Sequence, residues 1–260
     1  MKFIHLSDLH ILPRPQKIRG IDGCARLESA VDSINKSFAD AELCMVTGDL
    51  VDKGDAESYK LVRDILDHLK MPWHGLMGNH DKGGVAQISL DHLPWQSDGS
   101  LQYELSMYVG QFIVLDSSID SDSGRLSGRR LNWLRERLEA AKAANKDVFI
   151  FMHHVPFDIK IPWLDRIKME NGEEMWEVVK NFNNVRHMFF GHVHRPIHGS
   201  WHGIPFSTVR TTAHQVALQF EDLPAAWVEE TPSYAIVIIN DEQVLIHDHN
   251  FMEEHLEIVE

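Results

Sequence analysis

Seventeen histidines and thirty-nine Asp and Glu residues make this 260-residue chain rich in groups that hold cations, and several of them recur together at short spacings. Asp8 and His10 close the first apolar run. Gly48-Asp49 closes a second, with Asp52 just beyond. Gly78-Asn79-His80-Asp81 closes a third, His153-His154 a fourth, and Gly191-His192-Val193-His194 a fifth. On an extended chain residues i and i+2 point to one side, so Asp8 and His10 can reach a single ion, as can His192 and His194. Imidazole, carboxylate and carboxamide without thiolate form a hard-to-borderline donor set, which suits Zn, Mn, Fe or Co better than soft copper. The donors suffice for two ions rather than one. Gly48, Gly78 and Gly191 each precede a donor, where the missing Cβ permits a tight turn or close backbone approach. A lone Asp-x-His is more often structural than a ligand. Five such clusters, each after an apolar run, are poorly explained by coincidence.

The elements that must position these groups are legible as patterns. Residues 1–6, 43–46, 73–77, 148–152 and 188–190 are apolar runs of strand length, and each leads into one cluster. Leu27, Val31, Ile34 and Phe38 recur at helical spacing, as do Leu61, Val62, Ile65, Leu66 and Leu69. Ser127 can cap a helix carrying Leu131, Leu134 and Leu138 on one face. Residues 101–107 and 111–116 read as a hairpin turning near Gly110. Beyond residue 200, strands at 204–209, 215–220, 234–239 and 243–247 follow without helices between them. Alternating βα units and then a run of strands predict one α/β domain over 1–260, with a β-rich C-terminal part at 201–260. In open α/β sheets ligands bind beyond the carboxyl ends of strands, so the five clusters would converge. Residues 155–182 carry Pro156, Pro162 and the turn-like Asn171-Gly172. They read either as a cap inserted over the site or as an ordinary crossover helix with a long approach. As a cap, Trp163 and Ile167 would pack on a bound substrate and Asn171 would reach its polar part.

Composition narrows the function. The chain is 43% hydrophobic and 25% charged, ordinary for a soluble globular protein. Its net charge of −14 repels nucleic-acid polymers unless a basic groove overrides it. The nearest approach to such a groove, Arg125, Arg129 and Arg130, leads into an amphipathic helix. Two cysteines, Cys24 and Cys44, suggest neither a disulfide scaffold nor a thiolate site. No apolar run approaches the ~18 residues a membrane span needs, and Asp8 and His10 stand where a signal peptide would keep an apolar stretch. The expectation is a cytoplasmic protein without a membrane partner.

The ordered set D-x-H, G-D-x-x-D, G-N-H-D, a strand-end His and G-H-x-H resembles the calcineurin-like metallophosphoesterase superfamily over residues 1–200. The strings SDLH, VTGDLVDKGD, GNHD, FMHHVPF and GHVHRP, with His214-Gln215-Val216, look most like its class III cyclic-nucleotide phosphodiesterases and related glycerophosphodiesterases. The resemblance implies a four-layer α/β/β/α sandwich and two metal ions. It implies that one ion is held by Asp8, His10, Asp49 and His194, and the other by Asp49, Asn79, His153 and His192. It places His80 outside the metal shell facing the phosphate, with Asn79, His194 and His214 also near substrate. Asp52, Asp81 and His154 would orient ligands by hydrogen bonds, or serve as turn and capping residues. Met77 stands where protein serine/threonine phosphatases have Arg, and Asp52 where purple acid phosphatases have a tyrosine ligand. Both departures point away from those monoesterases.

The reaction so implied is hydrolysis of a small phosphodiester, a cyclic nucleotide or a glycerophosphodiester, by a metal-activated hydroxide. Two dications, Asp8, Asp49 and a hydroxide sum to about +1, a positive island in an acidic protein. His80 would stabilise the phosphoryl charge or protonate the leaving alkoxide. Rival readings are a nuclease, a pyrophosphohydrolase or a monoesterase of the same superfamily, and a non-catalytic metal-binding scaffold. The β-rich C-terminus would either form a homo-oligomer contact or finish the second sheet.

Overall fold

Alternation along one strand fixes the layering. In the run Val148–Met152, Phe149 and Phe151 join one buried cluster, while Val148, Ile150 and Met152 join another. A strand buried on both faces belongs between two layers. The computed structural model describes residues 1–252. Its elements are β1 (Lys2–Leu6), α1 (Gly23–Ser37), β2 (Leu43–Val46), α2 (Ala56–Leu66), β3 (Trp73–Gly75), α3 (Gly83–Ser89), β4 (Tyr103–Met107), β5 (Gly110–Val114) and α4 (Gly128–Ala143). There follow β6 (Val148–Met152), α5 (Pro162–Asp165), α6 (Gly172–Val179), β7 (Val185–Phe190), β8 (His198–Trp201), β9 (Ile204–Thr208), β10 (Gln215–Val216), β11 (Trp227–Val228), β12 (Tyr234–Ile239) and β13 (Val244–His249).

Two sheets carry the fold, in the orders β13-β12-β1-β2-β3 and β4-β5-β6-β7-β9-β8. Their inner faces meet through Phe3, whose ring lies 5.5 Å from Phe112, 5.8 Å from Phe151 and 5.5 Å from Phe189. Helices α1 and α2 cover the outer face of the first sheet through Leu27, Val31, Ile34, Val62 and Leu66. Helices α4 and α6 cover the second through Leu131, Leu134, Leu138, Met175 and Val179. This is the expected α/β/β/α sandwich. The Ser127 cap is also as expected, accepting from Arg130 N at 3.3 Å; Asp22 and Asp55, not singled out in the sequence, play the same part for α1 and α2. No helix among the described residues is long and apolar enough to cross a membrane.

The C-terminal part differs in detail. The strand expected over 215–220 shrinks to β10, which pairs only with β11. Ala217 N adds one more bond to Ala226 O, and the chain then turns at Glu221 and Asp222, followed by Pro224, which lacks a donor for any ladder. Strands β12 and β13 join the first sheet, and β8 and β9 join the second.

Candidate metal centre

Parallel pairing brings the clusters to one end of the sandwich. β1 is parallel to β2, β2 to β3, and β6 to β7, so the loops after all five strands leave in company. Backbone bonds tie these loops together: Asp8 N to Gly48 O at 3.0 Å, His10 N to Asp49 O at 3.0 Å, and Gly191 N to His153 O at 3.1 Å. The convergence of Asp8 with His10, and of His192 with His194, does not come from the pleat of an extended chain. All four are left-handed, with φ of 53°, 45°, 68° and 53°, and Asp49 joins them at 48°. Non-glycine residues rarely adopt this conformation, and such strain gathers at functional sites. Gly48, at φ 90°, and Gly78 fill the remaining tight places; a Cβ on Gly78 would lie 2.5 Å from Asp49 N.

Three of the four candidate ligand imidazoles are anchored at the outer nitrogen and present the inner one. His153 Nδ1 donates to Thr47 O at 2.8 Å, His194 Nδ1 to His214 O at 2.7 Å, and His192 Nε2 to Ile167 O at 3.1 Å. The carbonyl partner fixes the tautomer and leaves a lone pair on the inner atom. His153 Nε2 and His192 Nδ1 then lie 3.1 and 3.0 Å from Asn79 Oδ1. With the rings neutral and so anchored, three acceptor atoms converge. On the other side His10 Nε2 lies 3.0 Å from His194 Nε2, and His194 Nε2 lies 3.4 Å from Asp8 Oδ1. Between the two groups stands Asp49. Its Oδ1 accepts from His80 N at 2.9 Å, while Oδ2 lies 3.6 Å from His10 Nε2 and 3.5 Å from His153 Nε2.

Donors around one ion at metal–nitrogen distances near 2.1 Å stand about 3–3.5 Å apart, which is the spacing found here. The ligand atoms of Asp8, His10, Asp49 and His194 all lie within 4.8 Å of one another and all four residues are buried. His10 Nδ1 is buried without a hydrogen bond; Asp52 Oδ1 stands 3.4 Å away, out of line. Were His10 Nε2 to carry the proton toward His194, this Nδ1 lone pair would face a carboxylate. A cation between the two Nε2 atoms removes the conflict, since Nδ1–H can then turn to Asp52. The electrostatics point the same way. Burial pushes the His153 pKa down, yet Asp49 and Asp8 outweigh it and raise the value to about 9. Burial, with His153 beside it, pushes His192 down to about 3. The two carboxylates thus favour positive charge at His153, while His192 is kept neutral as a ligand must be, and the buried groups are suited to two metal ions.

The sequence and fold relationships agree with this geometry. The Calcineurin-like phosphoesterase family model matches residues 1–196. A probable cyclic nucleotide phosphodiesterase of Rhodopseudomonas palustris is 34% identical over 97% of this chain and 93% of its own. The chain is a calcineurin-like phosphoesterase. This phosphoesterase is also 31% identical to a probable glycerophosphodiester phosphodiesterase of Arcobacter nitrofigilis, over 94% of this chain and 91% of the relative. A dimetal phosphatase from Danio rerio shares its fold at a TM-score of 0.74, with 15% identity and 96% of each chain covered.

A cavity of about 280 Å³ opens beside the centre of the phosphoesterase, lined in part by His10, Asp49, Asn79, His80, His194 and His214. His80 is half-buried, with 40% of its side chain accessible. Its Nδ1 donates to Asp52 O at 2.9 Å, leaving Nε2 free. Burial lowers the His80 pKa, but Asp49 and the Asp52 carbonyl raise it further, for a net rise. His154 packs on His192 with 4.6 Å between ring centres, and both its nitrogens are engaged, by Ser117 Oγ at 2.8 Å and Asp122 O at 3.2 Å. Among the described residues, Asp81 hydrogen-bonds to no candidate ligand side chain. Its carboxylate accepts from Gly78 N at 2.9 Å, Leu50 N at 3.2 Å and Tyr59 Oη at 3.0 Å, clamping the second and third loops together. Burial and the nearby Asp49 raise its pKa to about 7, against the pull of those donors.

Of residues 155–182, Trp163, Leu164 and Ile167 line the cavity, while α6 packs on α4 as a crossover helix does. Asn171 does not reach the site. Its Oδ1 accepts from Leu126 N at 3.1 Å and its Nδ2 donates to Leu126 O at 2.8 Å, a buried tie between two loops. Sequence reading passed over Asp122 and Trp227, which also line the cavity, as does Val216 of the His214-Gln215-Val216 string. Trp227 lies far along the chain and is delivered by a two-residue strand that has no periodic signal.

Proposed function

We propose that this chain hydrolyses small phosphodiesters with two metal ions, one held by Asp8, His10, Asp49 and His194 and the other by Asp49, Asn79, His153 and His192. The observation that carries the reading is Asp49 Oδ2, placed almost equally far from His10 Nε2 and His153 Nε2 at the meeting of the two acceptor groups. A pair of such ions supplies Lewis acidity and a nucleophile near neutral pH. The chain's own groups do the rest. Asn79 and His80 flank the cavity where the phosphoryl group would lie, and His80 Nε2 is free to donate a proton to an equatorial or leaving oxygen. His214, beside His10 and His194 on the cavity wall, offers a further contact to substrate. Asp52 and His154 hold ligand rings in place, and Asp81 holds the loops that carry Asp49 and Asn79.

Three features support a small diester as substrate. The relatives that match nearly end to end are named for cyclic nucleotides and for glycerophosphodiesters. The cavity is small, and Trp163, Leu164 and Ile167 close one side of it as a cap. No basic track leads to it from Arg125, Arg129 and Arg130, because each meets a carboxylate: Glu170, Asp98 and Asp116. The test is kcat/KM for a cyclic nucleotide, a glycerophosphodiester, p-nitrophenyl phosphate and single-stranded DNA at one salt concentration, with metal content measured on the same protein. The expected result is two ions per chain and a small diester turned over fastest. Faster turnover of DNA or of the monoester than of every small diester would overturn the assignment.

A further inference from the structure

Beside the catalytic cavity lies a second, of about 510 Å³, lined by Arg19, Asp22, Arg26, Gln215, Glu229 and others. His214 and Trp227 border both cavities, so the two are neighbours across one indole. The Arg19 guanidinium lies over that indole, with Cζ 3.3 Å from the ring centre. Arg19 reaches this position from a tight turn. Ile18 N donates to Ile21 O at 3.0 Å and Ile21 N to Ile18 O at 2.8 Å, while Arg19 and Gly20 take φ of 50° and 81°. Paired positive φ values of this kind are those of a type I′ hairpin turn. Trp227 is held from the other side. It pairs with Val216, whose carbonyl accepts from Arg195 Nη1 at 2.5 Å, and Arg195 Nη1 is 3.2 Å from Glu230 Oε1. Across the catalytic cavity Trp163 meets Trp227 with 6.3 Å between ring centres and 48° between planes, forming an open aromatic corner.

Arg19 is exposed and, among the described residues, makes no ion pair, although the protein carries a net charge of −14. Its guanidinium has one planar face against the indole and its edge donors unspent. Such a stack offers a guest two things: a flat surface and hydrogen bonds to acceptors on the guest's rim. A nucleobase uses both. A glycerol head group has no flat face. A choline or ethanolamine head group would be drawn to bare aromatic walls by its positive charge, but here the arginine already lies on Trp227 and repels it.

We infer that Arg19 and Trp227, with Trp163 opposite, form a nucleobase site beside the metal centre, so that nucleotide-derived diesters are selected over glycerophosphodiesters. This inference rests on the phosphodiesterase reading above and names its substrate class. Arg19 and Trp227 are specificity residues, remote from the reacting phosphorus. Because Arg19 is exposed and Trp227 is 39% exposed, their replacement leaves the core intact.

The experiment compares kcat/KM for adenosine 3′,5′-cyclic monophosphate with that for glycerophosphocholine in the metal-loaded wild type and in Arg19→Ala, Trp227→Ala and Trp227→Phe. Loss of one stacking partner lowers the nucleotide-to-glycerophosphocholine ratio roughly tenfold or more in Trp227→Ala. The ratio falls in Arg19→Ala too, partly because the choline ester gains, and it stays near the wild-type value in Trp227→Phe. Most of the change appears in KM. Ratios within twofold of wild type in both alanine variants would overturn the base site. A wild type inactive on both diesters would instead remove the phosphodiesterase reading. Calorimetric titration with adenosine monophosphate then decides the base site by itself, with equal affinity in wild type and Trp227→Ala overturning it.

Discussion

Gly78→Ala tests whether the centre depends on close packing between two loops rather than on ligand identity alone. Gly78 is not left-handed, so an alanine meets no backbone penalty there. The obstacle is space. An added Cβ would stand 2.5 Å from Asp49 N and 2.8 Å from Asp49 Cγ, and would collide with Oδ1. Ordinary contact needs about 3.5 Å, so Asp49 must retreat by about 1 Å. It cannot retreat alone, because Asp49 O accepts from His10 N and Gly48 O from Asp8 N. The strain should cost about 1–3 kcal/mol, or roughly 2–10 °C in Tm for a domain of this size. A displacement of about 1 Å at a reacting site costs about 10²-fold in rate. Gly84→Ala is the control. A Cβ there meets nothing within 4 Å, and its place in α3 makes alanine neutral or stabilising by up to about 1 kcal/mol. The assays are kcat/KM on a small diester, ions per chain by elemental analysis, and Tm. Gly78→Ala with activity within threefold of wild type and two ions retained would refute the argument.

Other outcomes follow from the same geometry. Asp49→Ala should abolish activity and leave one ion or none, and elemental analysis returning two ions per chain would contradict its bridging place. His80→Ala should keep both ions yet lower kcat by roughly 10²–10⁴; near-native kcat with intact metal content counts against a role at the phosphoryl group. Acid should destabilise the fold through two buried histidines away from the cavity. Burial lowers His5 from 6.5 to about 3 and His187 from 6.5 to about 4. Above pH 6.5 both rings are neutral, folded or unfolded, and their contribution to stability is full. As pH falls from 6.5 toward the folded values, only the unfolded chain takes up the protons, so stability drops by about 1.4 kcal/mol per pH unit for each ring. Chemical unfolding between pH 7 and 5 should therefore give a shallower slope for His187→Gln than for wild type, and identical slopes would exclude the histidine as a cause.

What could be read from the sequence was whatever local chemistry dictates. Phe149 and Phe151 alternate with Ile150 and Met152 because a strand between two layers must be apolar on both faces. Ser127 announces α4 because its hydroxyl is where an unpaired backbone amide needs an acceptor. The five clusters stand out because Asp, Asn and His are poor residues for the end of a buried strand unless something there requires them. The spacing of Asp8 and His10 pointed to the right neighbours for the wrong reason, since left-handed backbone rather than pleat turns both inward. The walls of the cavity were not legible. Asn171 looked free to reach a substrate, and only the fold reveals Leu126 as its partner. Trp227 and Arg19 lie more than two hundred residues apart in sequence, on a two-residue strand and a four-residue turn, where neither periodicity nor composition leaves a trace.

The distinction has a physical root in how the centre is held. Few candidate ligands are fixed by their own strand. His153 is fixed by Thr47, from the loop after β2, and His194 by His214, from the chain before β10. His192 leans on Ile167 from the segment after β6, and its amide holds Asp8 at 3.1 Å. Asp49 is held by the amide of His80, and the loops of both are clamped by Asp81. The loops after β2, β3, β6 and β7 therefore each supply at least one donor and one support for a donor from elsewhere. Five left-handed or strained residues at a cost of order 1–3 kcal/mol each could not persist singly; they persist because every loop restrains another. Removing any one cluster would loosen the rest, so a partial set has little reason to survive in a folded chain. That mutual dependence is why one Asp-x-His says little while the five in order say much.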